Sequence, residues 1–289
     1  MRLTTALRAS LVAISMAAIA APAAPFGIGL QPTTVEMAVQ PGDRQRQVIN
    51  LGNVHQEETI SLTLGLADWS LDENGQISLA PPGDSDVSAA DWVRFSPAFV
   101  TLNPGETEQV VVDMAAPIRI DREGDYRFAL IASTLLPEER SGQSGVWKKY
   151  QIASLFYLTM GDAESSPEIT TATMTKSADG ETAVVFDLEN SGNAHARLRG
   201  DIEITGDSGE TITEAISNLV VLHEGSRKYK LPIAGALPEN PQVKVTLENI
   251  FAPQSSGGSV MLEPFTSDLS FEQTALPTGG SDDAETALE

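Results

Sequence analysis

The sequence predicts an all-β protein built from two tandem immunoglobulin-like β-sandwich domains. Three observations lead to this prediction. Apolar and polar residues alternate over many short stretches, and no stretch of 11 or more residues has the period of an amphipathic helix. Gly, Asn, Asp and Pro separate the alternating stretches at nearly regular intervals, which is typical of a sandwich of short strands.

The N-terminus has the three features of a secretory signal peptide. Arg2 and Arg8 form a basic start, residues 11–20 are apolar, and small residues offer cleavage sites after Ala20 or Ala23. We therefore predict a signal peptide over 1–23 and export to a bacterial periplasm. The apolar run is too short to span a bilayer, and no other segment approaches about 18 apolar residues, so no membrane span is expected in the mature chain.

Composition excludes some functions and disfavours others. The 289 residues include no cysteine, which excludes cysteine catalysis and cysteine-ligated metal sites. The net charge is −22, and removal of Arg2 and Arg8 leaves 16 basic against 40 acidic residues, or −24. A chain of this sign is not expected to bind nucleic acid.

The first sandwich is predicted over residues 25–161. Its most informative strand is "YQIASLFYLTM" at 150–160, which places apolar residues on both faces: Ile152, Phe156 and Leu158 on one, Ala153, Leu155 and Tyr157 on the other. A strand of this kind is either covered on both sides or offers one side to a partner.

A turn at Asn103-Pro104-Gly105 separates two alternating runs in the same domain. Proline fixes φ and glycine accepts a positive φ, so the tripeptide predicts a tight turn. The two runs then form either a hairpin or a corner at which the chain changes sheet.

The rest of the chain is divided by composition. A polar stretch at 162–168 predicts a linker, and alternating runs with Gly, Asn and Asp turns predict a second sandwich over 169–265. Residues 266–289 are small, polar and acidic, and we expect a disordered tail there.

No motif for catalysis, cofactor binding or metal binding is present. His55, His195 and His223 lie far apart without metal-ligand spacing, so each is expected to be structural or solvated. The acidic turns at 71–76 and 82–88 do not match a calcium-binding loop. We therefore expect no cofactor, no metal and no enzyme, although a sandwich scaffold does not by itself exclude an enzyme.

Several stretches of the first domain resemble the periplasmic chaperones of pilus (fimbrial) assembly. "FSPAFVTLNPGETEQVVVDM", "GDYRFALIASTLLP" and "YQIASLFYLTM" follow one another in that family's order, and "GIGLQPTTVEMAVQPGDRQRQVINLGN" resembles its first strands. The resemblance covers residues 28–160. It implies two immunoglobulin-like domains that bind an incomplete pilus or surface-protein subunit by strand addition. The outer-membrane assembly machinery is a second candidate partner.

The resemblance also implies partner-binding positions. The family's cationic anchors match Thr34 and Ser154, and neither residue is basic. A neutral hydroxyl donates a hydrogen bond about half as strong as a charge-assisted one. The full candidate set is Thr34, Trp147, Lys148, Lys149, Tyr150, Ile152, Ser154 and Phe156.

Lys148 and Lys149 have two interpretations. They either replace the missing cationic anchor from a neighbouring position or act as solvated edge-strand lysines that oppose aggregation. Lysines also interrupt the apolar run that the family shows before this strand.

Two functions remain open from the sequence. The first is a periplasmic chaperone-like protein that holds a secreted subunit along residues 145–160. The alternative is a non-catalytic envelope scaffold or adhesion protein that binds a folded partner or a cell-wall polymer.

Overall fold

The computed structural model describes residues 27–136, 148–176, 181–234 and 237–250, together with the backbone of three short strands at 260–261, 265–268 and 272–273. The predicted signal peptide at 1–23 and the candidate residue Trp147 lie outside the described residues. For Lys148 and Lys149 the strand is described but the side chains are not.

The described chain is almost entirely β-structure, as the alternating pattern predicts. The first ten strands are β1 (Ile28–Gln31), β2 (Thr34–Ala38), β3 (Arg44–Asn53), β4 (Ile60–Leu71), β5 (Ile77–Ala80), β6 (Val93–Ser96), β7 (Phe99–Leu102), β8 (Thr107–Ala115), β9 (Gly124–Leu136) and β10 (Lys148–Met160), with a 3-10 turn at Ala90–Trp92. Among the described residues, no helix has the length and apolar character needed to cross a lipid bilayer.

The remaining strands form the second half of the molecule. They are β11 (Pro167–Lys176), β12 (Thr182–Asn190), β13 (Ala196–Thr205), β14 (Thr211–Val221), β15 (Gly225–Ile233), β16 (Gln242–Asn249), β17 (Val260–Met261), β18 (Phe265–Asp268) and β19 (Glu272–Gln273). Strands β18 and β19 lie at the end of the predicted second sandwich and within the predicted tail; residues 274–289 lie outside the described residues.

Each half is a sandwich of two sheets. In the first, the sheet β1-β3-β8-β6 faces the sheet β2-β10-β9-β4-β5, to which β7 is joined through β4. In the second, β15-β12-β11-β19 faces β14-β13-β16-β17, with β18 paired to β16. Each sandwich encloses its own cluster of buried apolar side chains. The predicted fold class is confirmed.

The Asn103-Pro104-Gly105 turn is a sheet-changing corner. Glu106 donates its backbone N–H to the carbonyl of Asn103 at 3.0 Å, and Gly105 has φ of +75°, as a type II turn requires. Strand β7 before the turn pairs with β4, whereas β8 after it pairs with β3 and β6. Of the two predicted alternatives, the structure selects the corner.

A second sheet change occurs near the N-terminus, between β1 and β2. Strand β1 pairs antiparallel with β3 in one sheet, and β2 pairs in parallel with β10 in the other. Pro32, which cannot donate to a strand ladder, stands between them. This crossing places β2 beside only the second half of β10, where it covers residues 155–159.

Both sandwiches stabilise a loop with a buried asparagine at the end of a strand. The amide of Asn53 donates to the carbonyls of Glu58 (2.7 Å) and Leu102 (3.1 Å). The amide of Asn190 donates to the carbonyls of Ala194 (2.8 Å) and Leu222 (3.2 Å). Because buried carbonyls without a donor are costly, these side chains close loops that no strand ladder satisfies.

Packing between strands leaves no room for a side chain at Gly200. A Cβ at this position would lie 1.8 Å from the carbonyl oxygen of Thr246 on the neighbouring strand, whereas a Cβ at Gly65 would meet nothing within 4 Å. We expect Gly200→Ala to lower the free energy of unfolding by about 1–3 kcal/mol because backbone must move to admit the methyl group.

The matched control is Gly65→Ala, which should change the unfolding free energy by less than about 1 kcal/mol. Denaturant unfolding of both variants measures the difference. Equal effects of the two substitutions would contradict the close strand approach at Gly200.

Candidate functional site

Strand β10 is the centre of the candidate site because it is only half covered along one edge. On one side it pairs with β9 over its whole length, from Lys148 opposite Leu136 to Met160 opposite Gly124. On the other side β2 pairs with it from Leu155 onward. Among the described residues, no strand pairs with the 148–154 part of this second edge.

The hydrogen-bonding groups of the open part can be assigned from the covered part. Leu155 donates its backbone N–H to the carbonyl of Thr33 at 2.9 Å, so its backbone groups point away from β9. Backbone groups alternate sides along a strand, so those of Lys149, Gln151 and Ala153 also point away from β9. Three residues therefore present N–H and C=O groups at the open edge.

The two faces of β10 have different environments. The face bearing Phe156 and Leu158 lies in the first core, where Phe156 stacks on Phe128 with ring centroids 4.3 Å apart. The opposite face joins a separate apolar cluster between the two sandwiches, which includes Tyr157 and, from the second sandwich, Leu222. Toward its second half, the strand is thus covered on both faces.

The structure brings Thr34 and Ser154 to one place without making them an exposed pair. Thr34 lies opposite Leu155, so it is adjacent to Ser154 across the edge where pairing begins. Thr34 is exposed, whereas Ser154 is fully buried and donates its hydroxyl to the carbonyl of Pro32 at 2.7 Å. The Ser154 hydroxyl therefore stabilises the chain itself.

The other candidate residues are distributed along the strand. Tyr150 and Ile152 are half-buried on the open part, and Ile152 packs at the margin of the first core. Phe156 is fully buried, so its side chain is not exposed to a partner. The partner-binding role of this set stays a prediction.

A groove of about 360 Å³ lies on the outer face of the same sheet, next to the open edge. Its wall includes Gln151 and Ile131, the side chain of Leu79 lies on the other wall, and Gly65 leaves open space. The second sandwich covers this face near Tyr157 but not in the groove. The outer face beside the open part of β10 is therefore accessible.

A buried polar network joins the two sandwiches at the other end of β10. Asp125 and His195 are both fully buried, and Asp125 Oδ2 accepts bonds from the His195 backbone N–H (2.7 Å) and Nδ1 (2.8 Å). Thr159 donates to Asp125 Oδ1 at 3.3 Å. Glu36 lies 3.6 Å from His195 Nε2 and is paired with Arg197.

The network raises the pKa of His195. Burial alone would lower this pKa, but the charge and hydrogen bond of Asp125, together with Glu36, outweigh burial and favour the imidazolium. Burial likewise would raise the pKa of Glu36, whereas His195 and Arg197 lower it below its usual value. His195 is therefore held between two carboxylates of the first sandwich.

The histidine–carboxylate pair is a structural contact. Both Asp125 and His195 have no exposed surface, so a substrate does not reach them. Among the described residues, no group of three or more His, Cys, Asp and Glu side chains is arranged to hold a metal ion. His195 is an isolated histidine in the sequence, and its pairing with Asp125 was not predicted because the two residues lie 70 positions apart on different sandwiches.

Comparison with known proteins finds similarity only among solved structures. No family model and no curated protein matches the chain. The class 5 fimbriae chaperone CfaA is 12% identical, with 82% of this chain and 100% of that chain covered and a TM-score of 0.41. The E. coli chaperone DraB is also 12% identical, with 85% and 97% covered and a TM-score of 0.40.

A further similar structure is the CsuC–CsuE chaperone–tip adhesion subunit pre-assembly complex from the archaic chaperone-usher Csu pili of Acinetobacter baumannii. It is 12% identical, covers 85% of this chain and 99% of the matched chain, and has a TM-score of 0.41. The solved structures similar to this chain thus include fimbrial chaperones, the family that the sequence also resembles.

The raised pKa of His195 predicts a loss of stability with rising pH. A histidine whose pKa is raised on folding stabilises the protein fully below its unfolded value of about 6.5 and loses that effect as pH rises through the folded value. We expect the free energy of unfolding of the wild type to fall as the pH rises from about 6.5 through the folded pKa of His195. His195→Gln should remove that fall. Denaturant unfolding at a series of pH values from 6 to 9 measures it.

His55→Gln is the control. His55 lies away from the joint between the two sandwiches, where Asp125 and His195 meet, so this substitution should leave the pH dependence unchanged. The same pH dependence in His195→Gln as in the wild type would show that the carboxylates do not hold a proton on this residue.

Proposed function

We propose that this chain is a periplasmic chaperone-like protein that binds a secreted pilus or surface-protein subunit by strand addition to β10. One observation carries the proposal: β2 occupies the edge of β10 from Leu155 onward, whereas residues 148–154 have no strand on that side among the described residues. Unpaired edges attract an additional strand, and many proteins recognise extended peptides in this way.

The open edge has the dimensions and groups that strand addition needs. Seven residues at about 3.3 Å each span roughly 23 Å, which matches an ordinary strand. Lys149, Gln151 and Ala153 provide the outward backbone donors and acceptors. Continuous pairing with β9 holds these groups in position before a partner binds.

Side chains near the edge favour an apolar guest strand. Inward-pointing guest side chains would contact Ile152, which is half-buried at the margin of the first core. On the outer face, Ala153 is small and belongs to the apolar cluster around Tyr157, so guest side chains can approach the sheet closely. In a subunit that lacks one strand of its own, the strand next to the gap has no partner, so it would expose an apolar edge of this kind.

Export fits the same proposal. The predicted signal peptide at 1–23 delivers the chain to the compartment in which secreted subunits fold, and a chain without cysteine folds there without disulfides. The outer-membrane assembly machinery remains a second candidate partner, which would receive the subunit from this protein.

The alternative is an envelope scaffold that binds a folded partner. The observation that favours it is the internal use of Ser154, whose hydroxyl is bonded to Pro32 where the resembled family has a cationic anchor. A scaffold would not keep an aggregation-prone subunit in solution. Light scattering of a candidate subunit at an equimolar ratio separates the two functions.

We expect Ala153→Pro to abolish subunit binding while the first sandwich stays folded. Proline removes the Ala153 N–H, which lies within the pairing surface of the open edge, and it leaves the ladder to β9 intact because that ladder uses the neighbouring residues. Capture of the subunit in cells, measured with a photo-crosslinking residue at Gln151 and mass spectrometry, should fall at least tenfold.

Ala153→Ser keeps the N–H and is the matched control, with unchanged capture expected. Circular dichroism and thermal unfolding establish that both variants are folded. Undiminished capture by a folded Ala153→Pro variant would exclude strand addition at this edge.

A further inference from the structure

Two arginines and a histidine meet where the sandwiches join, apart from the Asp125–His195 pair. Nη1 of Arg127, on β9, lies 2.8 Å from His223 Nδ1, and Nη1 of Arg122 lies 3.4 Å from His223 Nε2. His223 belongs to the second sandwich, directly after Leu222 of the shared apolar cluster. The three side chains therefore converge from both sandwiches.

The hydrogen bonds of His223 leave two donors facing each other. A neutral imidazole has one acceptor nitrogen, and a guanidinium has only donors. The shorter contact assigns Nδ1 as the acceptor from Arg127, so Nε2 carries the proton. Arg122 Nη1 and His223 Nε2 are then both donors, 3.4 Å apart, and cannot bond to each other.

Burial and the lowered pKa of His223 agree with this assignment. Burial and the positive charges of Arg127 and Arg122 lower its pKa to about 4, so the ring is neutral at neutral pH. The two arginines thus add positive potential at the imidazole, and the opposing charges of Asp125 and Glu224 act on it more weakly.

In the part of the chain that the structure describes, no carboxylate contact balances the charge of the arginines, although the guanidinium of Arg127 also lies over the ring of Trp69, 5.5 Å from its centroid. Arg127 is only 7% exposed, and its Nε is buried without an acceptor. Among the described residues, no carboxylate oxygen lies within 4.0 Å of the guanidinium of Arg127 or Arg122. Asp86 and Asp125 act on Arg127 only through space, and Asp125 is already bonded to His195.

An uncompensated cation in a buried position is unfavourable unless an anion accompanies it. The nearby donors of Arg122 and His223 offer such an anion two hydrogen bonds at once, and guanidinium groups match the geometry of carboxylate and phosphate oxygens. Arg122 and His223 are half-buried, so the cluster is open to solvent on that side.

We propose that Arg122, Arg127 and His223 form a binding site for a small oxyanion, a carboxylate or a phosphate group, at the joint between the sandwiches. The anion accepts hydrogen bonds from both Arg122 and the protonated Nε2 of His223, and Arg127 supplies the buried positive charge behind the ring. Binding contacts both sandwiches, so it holds them together. This site does not depend on strand addition to β10.

The site is tested by isothermal titration calorimetry of the purified protein at pH 7. Inorganic phosphate and acetate are titrated separately, at constant ionic strength. We expect saturable binding of one anion per chain, weakened at least tenfold in Arg122→Gln. Arg46→Gln is the matched control, because it removes the same charge from an exposed arginine paired with Asp113 and should leave the affinity unchanged.

Binding of phosphate alone assigns the site to phosphate groups, binding of acetate alone assigns it to carboxylates, and binding of both supports an oxyanion site that takes either group. A saturating shift of the His223 ring resonance in the nuclear magnetic resonance spectrum of the wild type places the anion at the imidazole without any variant. No saturable binding of either anion, or equal weakening in Arg122→Gln and Arg46→Gln, would overturn the proposal.

Discussion

The change of sheet between β1 and β2 is the constraint on which the candidate site depends. A first strand that stayed in one sheet would leave the whole edge of β10 either open or closed. Because the chain crosses at Pro32, β2 begins only at Thr34 and pairs from Leu155 onward. The bond from Leu155 to the carbonyl of Thr33 marks where the closed part of the edge begins. The open part of the β10 edge therefore results from the path that the chain takes between the two sheets as much as from the local sequence.

The joint between the sandwiches combines apolar and charged contacts on neighbouring strands. Trp69 packs edge-on against Tyr157 at 4.8 Å, and Tyr157 in turn lies 4.4 Å from the ring of His195. The fully buried Asp125 accepts two bonds from His195, so removal of either partner would leave an unsatisfied polar group in a dry environment. Charged contacts of this kind fix the orientation of two surfaces more strictly than apolar contacts, because hydrogen bonds depend on angle as well as distance.

Local patterns in the sequence predicted most of the fold but little of the joint. The alternation of Val110, Val112 and Met114 predicted β8 and its buried face, and the Asn103-Pro104-Gly105 turn was recognisable because only glycine readily accepts the required φ. The choice between hairpin and corner was not predictable, since it depends on which distant strand each run meets.

Part of the candidate site was likewise predictable, because local alternation and short motifs are visible in the sequence whereas contacts between distant residues are not. The two apolar faces of β10 follow from alternation alone, and the resemblance singled out Thr34 and Ser154, which lie next to each other in the structure. The pairing of Asp125 with His195 and the approach of Arg127 to His223 join residues 70 and 96 positions apart. Isolated histidines carry no local signal of such partners, so only the folded chain reveals them.

The three surroundings of β10 limit how its sequence can change. One face fills the first core and the other contacts the second sandwich. The edge away from β9 is open over residues 148–154. A substitution in this strand therefore alters at least one of these contacts, and a change near Tyr157 alters the packing of the joint directly. The exposed Pro104 fills neither a core nor the joint, so apart from Gly105, whose positive φ the turn requires, the chain has more latitude there to accept new residues than along its central strand.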